Sequence, residues 1–128
     1  MKWNRQIVYT HNMGLGLAKR NKIKEILEFF NKDKPLALML QEVGVNTEDM
    51  NKEEMKKWID MWMPGYDYWC SIEDNRRRGG VMTLMPRILT PLIIQQDIIK
   101  DKEGRFLAIP CHTKTKGQRL WFINIFVQ

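Results

Sequence analysis

Tyr9-Thr10-His11-Asn12-Met13-Gly14 and Leu36-Ala37-Leu38-Met39-Leu40-Gln41-Glu42 are two short apolar stretches, each ending abruptly in polar residues. The segment between them, residues 20–30, places Ile23, Ile26, Leu27 and Phe30 at i, i+3, i+4 and i+7, while Lys22, Lys24 and Glu28 face away. That spacing is a helix with a single buried face. Strand, helix, strand is the βαβ arrangement, and in α/β proteins the strand ends collect ligand and metal groups. The pattern predicts Asn12 and Glu42 side by side at one end of a sheet.

Residues 6–10 read as the first strand and 36–41 as the second. The second is apolar on both faces and is therefore expected to be central. Asn31 and Pro35 mark the exit of the first helix. Asn51 with Glu54 three residues on has the form of a capping box. It opens a second helix, 51–63, whose stripe is Met55, Trp58, Ile59 and Trp62 and whose stop is Pro64-Gly65. The remainder reads as β: residues 66–72, 80–85, 94–100, 105–110 and 120–127, with turns at 75–79, 101–104 and 114–118. The expected fold class is α/β, one mainly antiparallel sheet with both helices packed together on its outer face, as their single apolar stripes require.

Composition sets the outer bounds. At 128 residues the chain suits one domain, and 44% hydrophobic with 28% charged residues is globular rather than disordered. No apolar run reaches the roughly 18 residues of a membrane-spanning helix, and Met1-Lys2-Trp3-Asn4-Arg5 leads into a strand without the apolar core of a signal peptide. The two cysteines, Cys70 and Cys111, form neither a zinc pattern nor a disulfide framework. A reducing, intracellular compartment is the expectation. A net charge of +6 fits a polyanionic partner and equally fits ordinary solubility.

Five segments now stand in order: Tyr9-Thr10-His11-Asn12-Met13-Gly14, Leu40-Gln41-Glu42-Val43, Arg78-Gly79-Gly80-Val81, Asp101-Lys102-Glu103-Gly104-Arg105 and Phe122-Ile123-Asn124-Ile125-Phe126. Their order and spacing resemble the first half of the endonuclease/exonuclease/phosphatase superfamily, with the closest look to the endonuclease domain of non-LTR retrotransposons, related to apurinic-site endonucleases. The resemblance implies half of a four-layered α/β sandwich and Mg²⁺-dependent phosphodiester hydrolysis. It implies Glu42 as the direct metal ligand and Asn12 as its neighbour at the metal or phosphate. The chemistry agrees, since Mg²⁺ is satisfied by one or two carboxylates with waters and phosphate oxygens.

The departures carry as much weight. Family members close this half with Asn-x-Tyr-x-Pro, whose tyrosine reaches the phosphate; here Asn124-Ile125-Phe126-Val127-Gln128 has a phenyl ring instead. The family's Gly-Asp-x-Asn and Ser-Asp-His segments, which supply the water-activating aspartate, the phosphate asparagine and the general acid/base histidine, do not occur. His11 alternates with Asn12 and is expected on the opposite face, and His112 beside a turn is expected in solvent. Residues 1–128 thus read as a single incomplete domain of this type, not catalytic alone. One alternative is an inactive remnant, a pseudoenzyme serving as a structural subunit of a protein or ribonucleoprotein complex; another is an unrelated α+β binding module.

Other features have competing readings. Arg76-Arg77-Arg78 suits DNA or RNA phosphate contact, or a solvated hairpin tip before Gly79-Gly80. Gly14-x-Gly16 lacks the last glycine of a dinucleotide fingerprint. Trp58, Trp62 and Trp69 have core spacing before they have base-stacking spacing, and Met50, Met55, Met61 and Met63 read as packing. Finally, 120–127 is apolar on both faces and predicts burial on both. An exposed sheet face there calls for a protein partner or a second copy to cover it.

Overall fold

The computed structural model of the chain describes residues 4–14, 20–43, 52–72 and 80–127. Its elements are β1 (Asn4–Asn12), α1 (Arg20–Asn31), β2 (Pro35–Gln41), α2 (Lys52–Trp62), β3 (Tyr66–Ser71), β4 (Val81–Pro86), β5 (Ile99–Lys100), β6 (Phe106–His112) and β7 (Arg119–Ile125). Short 3₁₀ turns at Arg87–Leu92 and Gln95–Asp97 join β4 to β5. The first sheet has the order β1-β2-β4-β3, with β1 and β2 parallel and the remaining pairs antiparallel. The α/β class and the central place of β2 follow the pattern of the residues.

The strands do not form one sheet, however. β5, β6 and β7 make a second, antiparallel sheet. The reason lies in β4, whose six residues are all buried. A strand apolar on both faces needs cover on both, and the helices supply only one. On the helix side, Ile23, Leu27, Phe30, Met55, Ile59 and Trp62 enclose Leu38, Leu40, Met82 and Leu84. On the other side, Leu107, Ile109, Cys111 and Phe122 of the second sheet pack on Ala37, Val81 and Met85. The described residues stack as helix, sheet, sheet.

Three further expectations change. Residues 94–100 contain only the two-residue β5, because the chain is crossing between sheets there: Ile94 N–H donates to the Pro110 carbonyl at 2.9 Å and the next residues close a tight turn. Residues 120–127 are not buried on both faces. Phe122 and Asn124 point into the sandwich, while Trp121, Ile123, Ile125 and Val127 are exposed. Met61 is exposed where Met63 is buried, so only part of the methionine set packs. Asn51, Met50 and the expected turn at 75–79 lie outside the described residues.

Trp62 is buried with Trp58 tilted against it at 5.9 Å, and Trp69 packs between the sheets, so these three tryptophans serve packing. Arg87 ties three elements together, donating to Asp60 of α2 at 3.0 Å and Asp67 of β3 at 3.1 Å. Both carboxylates hold its guanidinium above its ordinary pKa.

Candidate active site

The parallel register sets Asn12 opposite Gln41, and Met13 N–H donates to the Gln41 carbonyl at 2.8 Å. Asn12 and Glu42 therefore stand at the carboxyl ends of neighbouring parallel strands, at the same end of the sheet. Both are reachable: Asn12 is exposed and Glu42 half-buried. Asn12 Oδ1 accepts the Gly14 N–H at 2.8 Å, a local turn that Gly14 completes at φ +58°. Lys22, near the start of α1, brings its ammonium to the same place, 3.9 Å from where a Cβ on Gly14 would sit.

Glu42 itself has φ +49°, a left-handed conformation that costs a non-glycine residue about 1–3 kcal/mol and persists where its surroundings over-determine it. Here both flanking residues are pinned. The Gln41 carbonyl accepts from Met13, and Val43 N–H donates to the Gly80 carbonyl at 3.2 Å. The backbone thus turns Glu42 out of the strand at a fixed point.

Beneath these residues runs a chain of polar side chains. Thr10 Oγ1 donates to Gln41 Oε1 at 3.1 Å, and Gln41 Nε2 donates to Asn124 Oδ1 at 2.8 Å. Asn124 is buried and turns its Nδ2 towards the carbonyls of Leu40 (3.2 Å) and Met82 (3.0 Å) and the hydroxyl of Thr83 (3.2 Å). Sequence reasoning noted Asn124 only as part of a motif and set Lys22 on the solvent side. Lys22 was discoverable, since a helix following β1 begins at the end where β1 stops. The Gln41–Asn124 pair was not, because it needs the sandwich to close.

The turn of the second sheet reaches the same end: Gly80 N–H donates to the Gly104 carbonyl at 3.1 Å. In that turn Arg105 pairs with Asp101 at 3.0 Å and holds its carboxyl below the usual range. Arg76, Arg77 and Arg78 lie outside the described residues; Ser71 and Val81, which flank their segment, pair with each other, and Val81 is also opposite Gln41. His11 packs edge-on against Phe30 at 5.5 Å, on the helix side, and His112 is exposed at the opposite end of the sandwich. Phe126 is half-buried, its N–H donating to the Arg105 carbonyl at 2.7 Å.

Among the described residues no cluster of three or more His, Cys, Asp or Glu side chains could hold a metal alone. Glu42 and Asn12 still fit a Mg²⁺ ion that takes the rest of its shell elsewhere: both present hard oxygen, and the Asn12 oxygen bonded to Gly14 keeps a second lone pair. A separate cleft of about 320 Å³ between α2 and β3 is lined by Lys56, Tyr68, Trp69 and Gln95, with Arg87 already paired across it to Asp60 and Asp67.

No protein-family model matches the sequence, and no curated protein matches it. Among solved structures the chain is similar to the crystal structure of the AP endonuclease LMAP from Leishmania major, with a TM-score of 0.66 at 21% identity. The match covers 94% of this chain and 40% of that one, so the chain spans well under half the length of this neighbour. Over the matched part the chain shares the fold of that AP endonuclease.

Proposed function

We propose that this chain supplies the metal- and phosphate-binding part of a Mg²⁺-dependent phosphodiesterase domain of the retrotransposon-endonuclease kind. The observation that carries the reading is the placement of Asn12 and Glu42 at adjacent strand ends in an AP-endonuclease-like fold. Glu42 would hold the metal through its carboxylate, and Asn12 would hold the metal or a phosphate oxygen through its amide. When bound, Mg²⁺ supplies Lewis-acid polarisation of the phosphoryl group. Lys22 adds positive charge beside the same end, which favours an approaching phosphate. Arg76, Arg77 and Arg78 are proposed as further nucleic-acid contacts, to DNA or RNA, through phosphates rather than base edges.

These residues do not make a complete catalyst. Orienting a water and protonating a leaving oxygen need a base and an acid in addition to a metal ligand. Among the described residues the two strand ends offer one carboxylate, Glu42, and one amide, Asn12, and Phe126 has no hydroxyl to present. The pure chain is expected to leave abasic and supercoiled DNA intact in Mg²⁺ while binding Mn²⁺ in a manner lost in Glu42→Gln. Wild-type cleavage that disappears in Glu42→Ala would instead establish an active endonuclease.

A second reading, that of a structural subunit, rests on the outward face of the second sheet, where Ile99, Trp121, Ile123, Ile125 and Val127 are all exposed. We propose that further polypeptide of the same kind of fold covers this face, since the matched neighbour continues for more than its matched 40%. A self-associating chain in sedimentation analysis would assign the face to a second copy instead.

A further inference from the structure

The polar groups between the two sheets have one directional arrangement. The Leu40 and Met82 carbonyls can only accept, so the Asn124 amide must turn its nitrogen to them and its oxygen to Gln41. The Met39 carbonyl, 3.1 Å from Gln41 Nε2, fixes the Gln41 amide in the same way and leaves its oxygen for Thr10. Four strands are joined through these contacts: β1 by Thr10, β2 by Leu40 and Gln41, β4 by Met82 and Thr83, and β7 by Asn124. The network is buried at its Asn124 end and reaches solvent at Thr10, and its buried end is high-stakes. Fully satisfied it specifies one arrangement, and a broken one leaves costly unpaired groups.

Its location gives it a second consequence. Gln41 immediately precedes Glu42, and Thr10 is two residues before Asn12. The network thus grips the last ordinary strand positions on which both site residues depend, directly under the left-handed turn at Glu42. We propose that Asn124 and Gln41 are positioning residues: Asn124, from the second sheet, acts through Gln41 at the end of β2 to hold the ends of β1 and β2 in register, so that Asn12 and Glu42 face one point. Their relevance to metal rests on the functional reading above, but the positioning itself is independent of it.

Amide hydrogen exchange on the full chain tests this. The probes are Met13 N–H and Val43 N–H, whose bonds bracket Glu42, with Leu84 and Ile109 as controls in β4 and β6. In the double variant Gln41→Met with Asn124→Leu the Gln41–Asn124 bond is replaced by an apolar contact, and the control amides register the global cost of the donor lost to Leu40, Met82 and Thr83. Met13 and Val43 are expected to exchange at least about tenfold faster relative to the controls. Thr10→Val, at an exposed position, should give the same pattern more weakly and does not depend on the core tolerating a change. Equal acceleration at all four amides, or no change at Met13 and Val43 in either variant, would overturn the proposal, because a merely structural contact moves them together. Mn²⁺ broadening of the Glu42 side-chain resonances in wild type is the separate arm. Its absence refutes the metal reading and leaves the exchange pattern to decide positioning.

Discussion

Val43 N–H donates to the Gly80 carbonyl, and a Cβ built on Gly80 would lie 2.8 Å from Cγ2 of the same Val43. Val43 is fully buried and cannot swing away. Gly80 also has φ +87°, which disfavours any side chain. Gly80→Ala is therefore expected to destabilise the chain by at least about 2 kcal/mol, summing overpacking and backbone strain. Urea denaturation measures it, and a loss under about 0.5 kcal/mol would show that the close approach is relieved elsewhere.

Glu42 is half-buried and holds a positive φ, so its backbone conformation and its carboxylate can be tested separately. Glu42→Gly should leave stability unchanged or raise it by up to about 1 kcal/mol, since glycine adopts positive φ freely. Glu42→Val should lower it by about 1–2 kcal/mol, β-branched residues being the least suited to that region. Both should lose Mn²⁺ binding alike in calorimetric titration.

The alkaline limit of stability has a named cause. All three tyrosines ionise above their ordinary range: Tyr66 through burial, Tyr9 chiefly through its hydrogen bond to Asp33, and Tyr68 chiefly through burial. Tyr66 is almost fully enclosed and donates to the Pro35 carbonyl. A folded-state pKa raised above the unfolded one contributes stability that is complete below about pH 10 and is lost as pH rises beyond it. Tyr66 alone can account for a slope approaching 1.4 kcal/mol per pH unit. Phenolate absorbance should lag the denatured chain above pH 10, and Tyr66→Phe should flatten the alkaline loss while lowering stability at neutral pH.

Neighbouring positions in β7 should respond in opposite ways. Phe122 points between the sheets, and Phe122→Asp should unfold the chain, exceeding the roughly 3–5 kcal/mol of a large-to-small core change by the burial of a charge. Ile125 is 57% exposed, and Ile125→Asp should shift the denaturation midpoint little, and should abolish any self-association that the wild-type chain shows through the outward face. Sedimentation and urea titration of the two variants check this together. Equal destabilisation would mean that the outward face is not the free one.

Much of this architecture was legible in the residues because it depends on neighbours in the chain. The 3.6-residue stripe from Ile23 to Phe30, the stops at Asn31 and Pro64-Gly65, and the unbroken apolar run before Gln41 each express a local requirement for burial or for a turn. Those elements sufficed to put Asn12 and Glu42 at neighbouring strand ends, since a parallel βαβ pair brings both carboxyl ends to one side.

What depended on the closed tertiary structure was which face met which. Residues 120–127 are apolar at nearly every position, and periodicity cannot say which side turns inward when both sides qualify. Local pattern sufficed for the elements, the central strand and the end where a site could form. Only the packing of one sheet on the other decided that Phe122 and Asn124 face inward, that Ile123 and Ile125 face out, and that an asparagine 83 residues away hydrogen-bonds to the residue preceding Glu42. Hydrophobic burial is non-directional and leaves that choice open, whereas the Asn124 amide is directional and finds its acceptors in one arrangement of the two sheets.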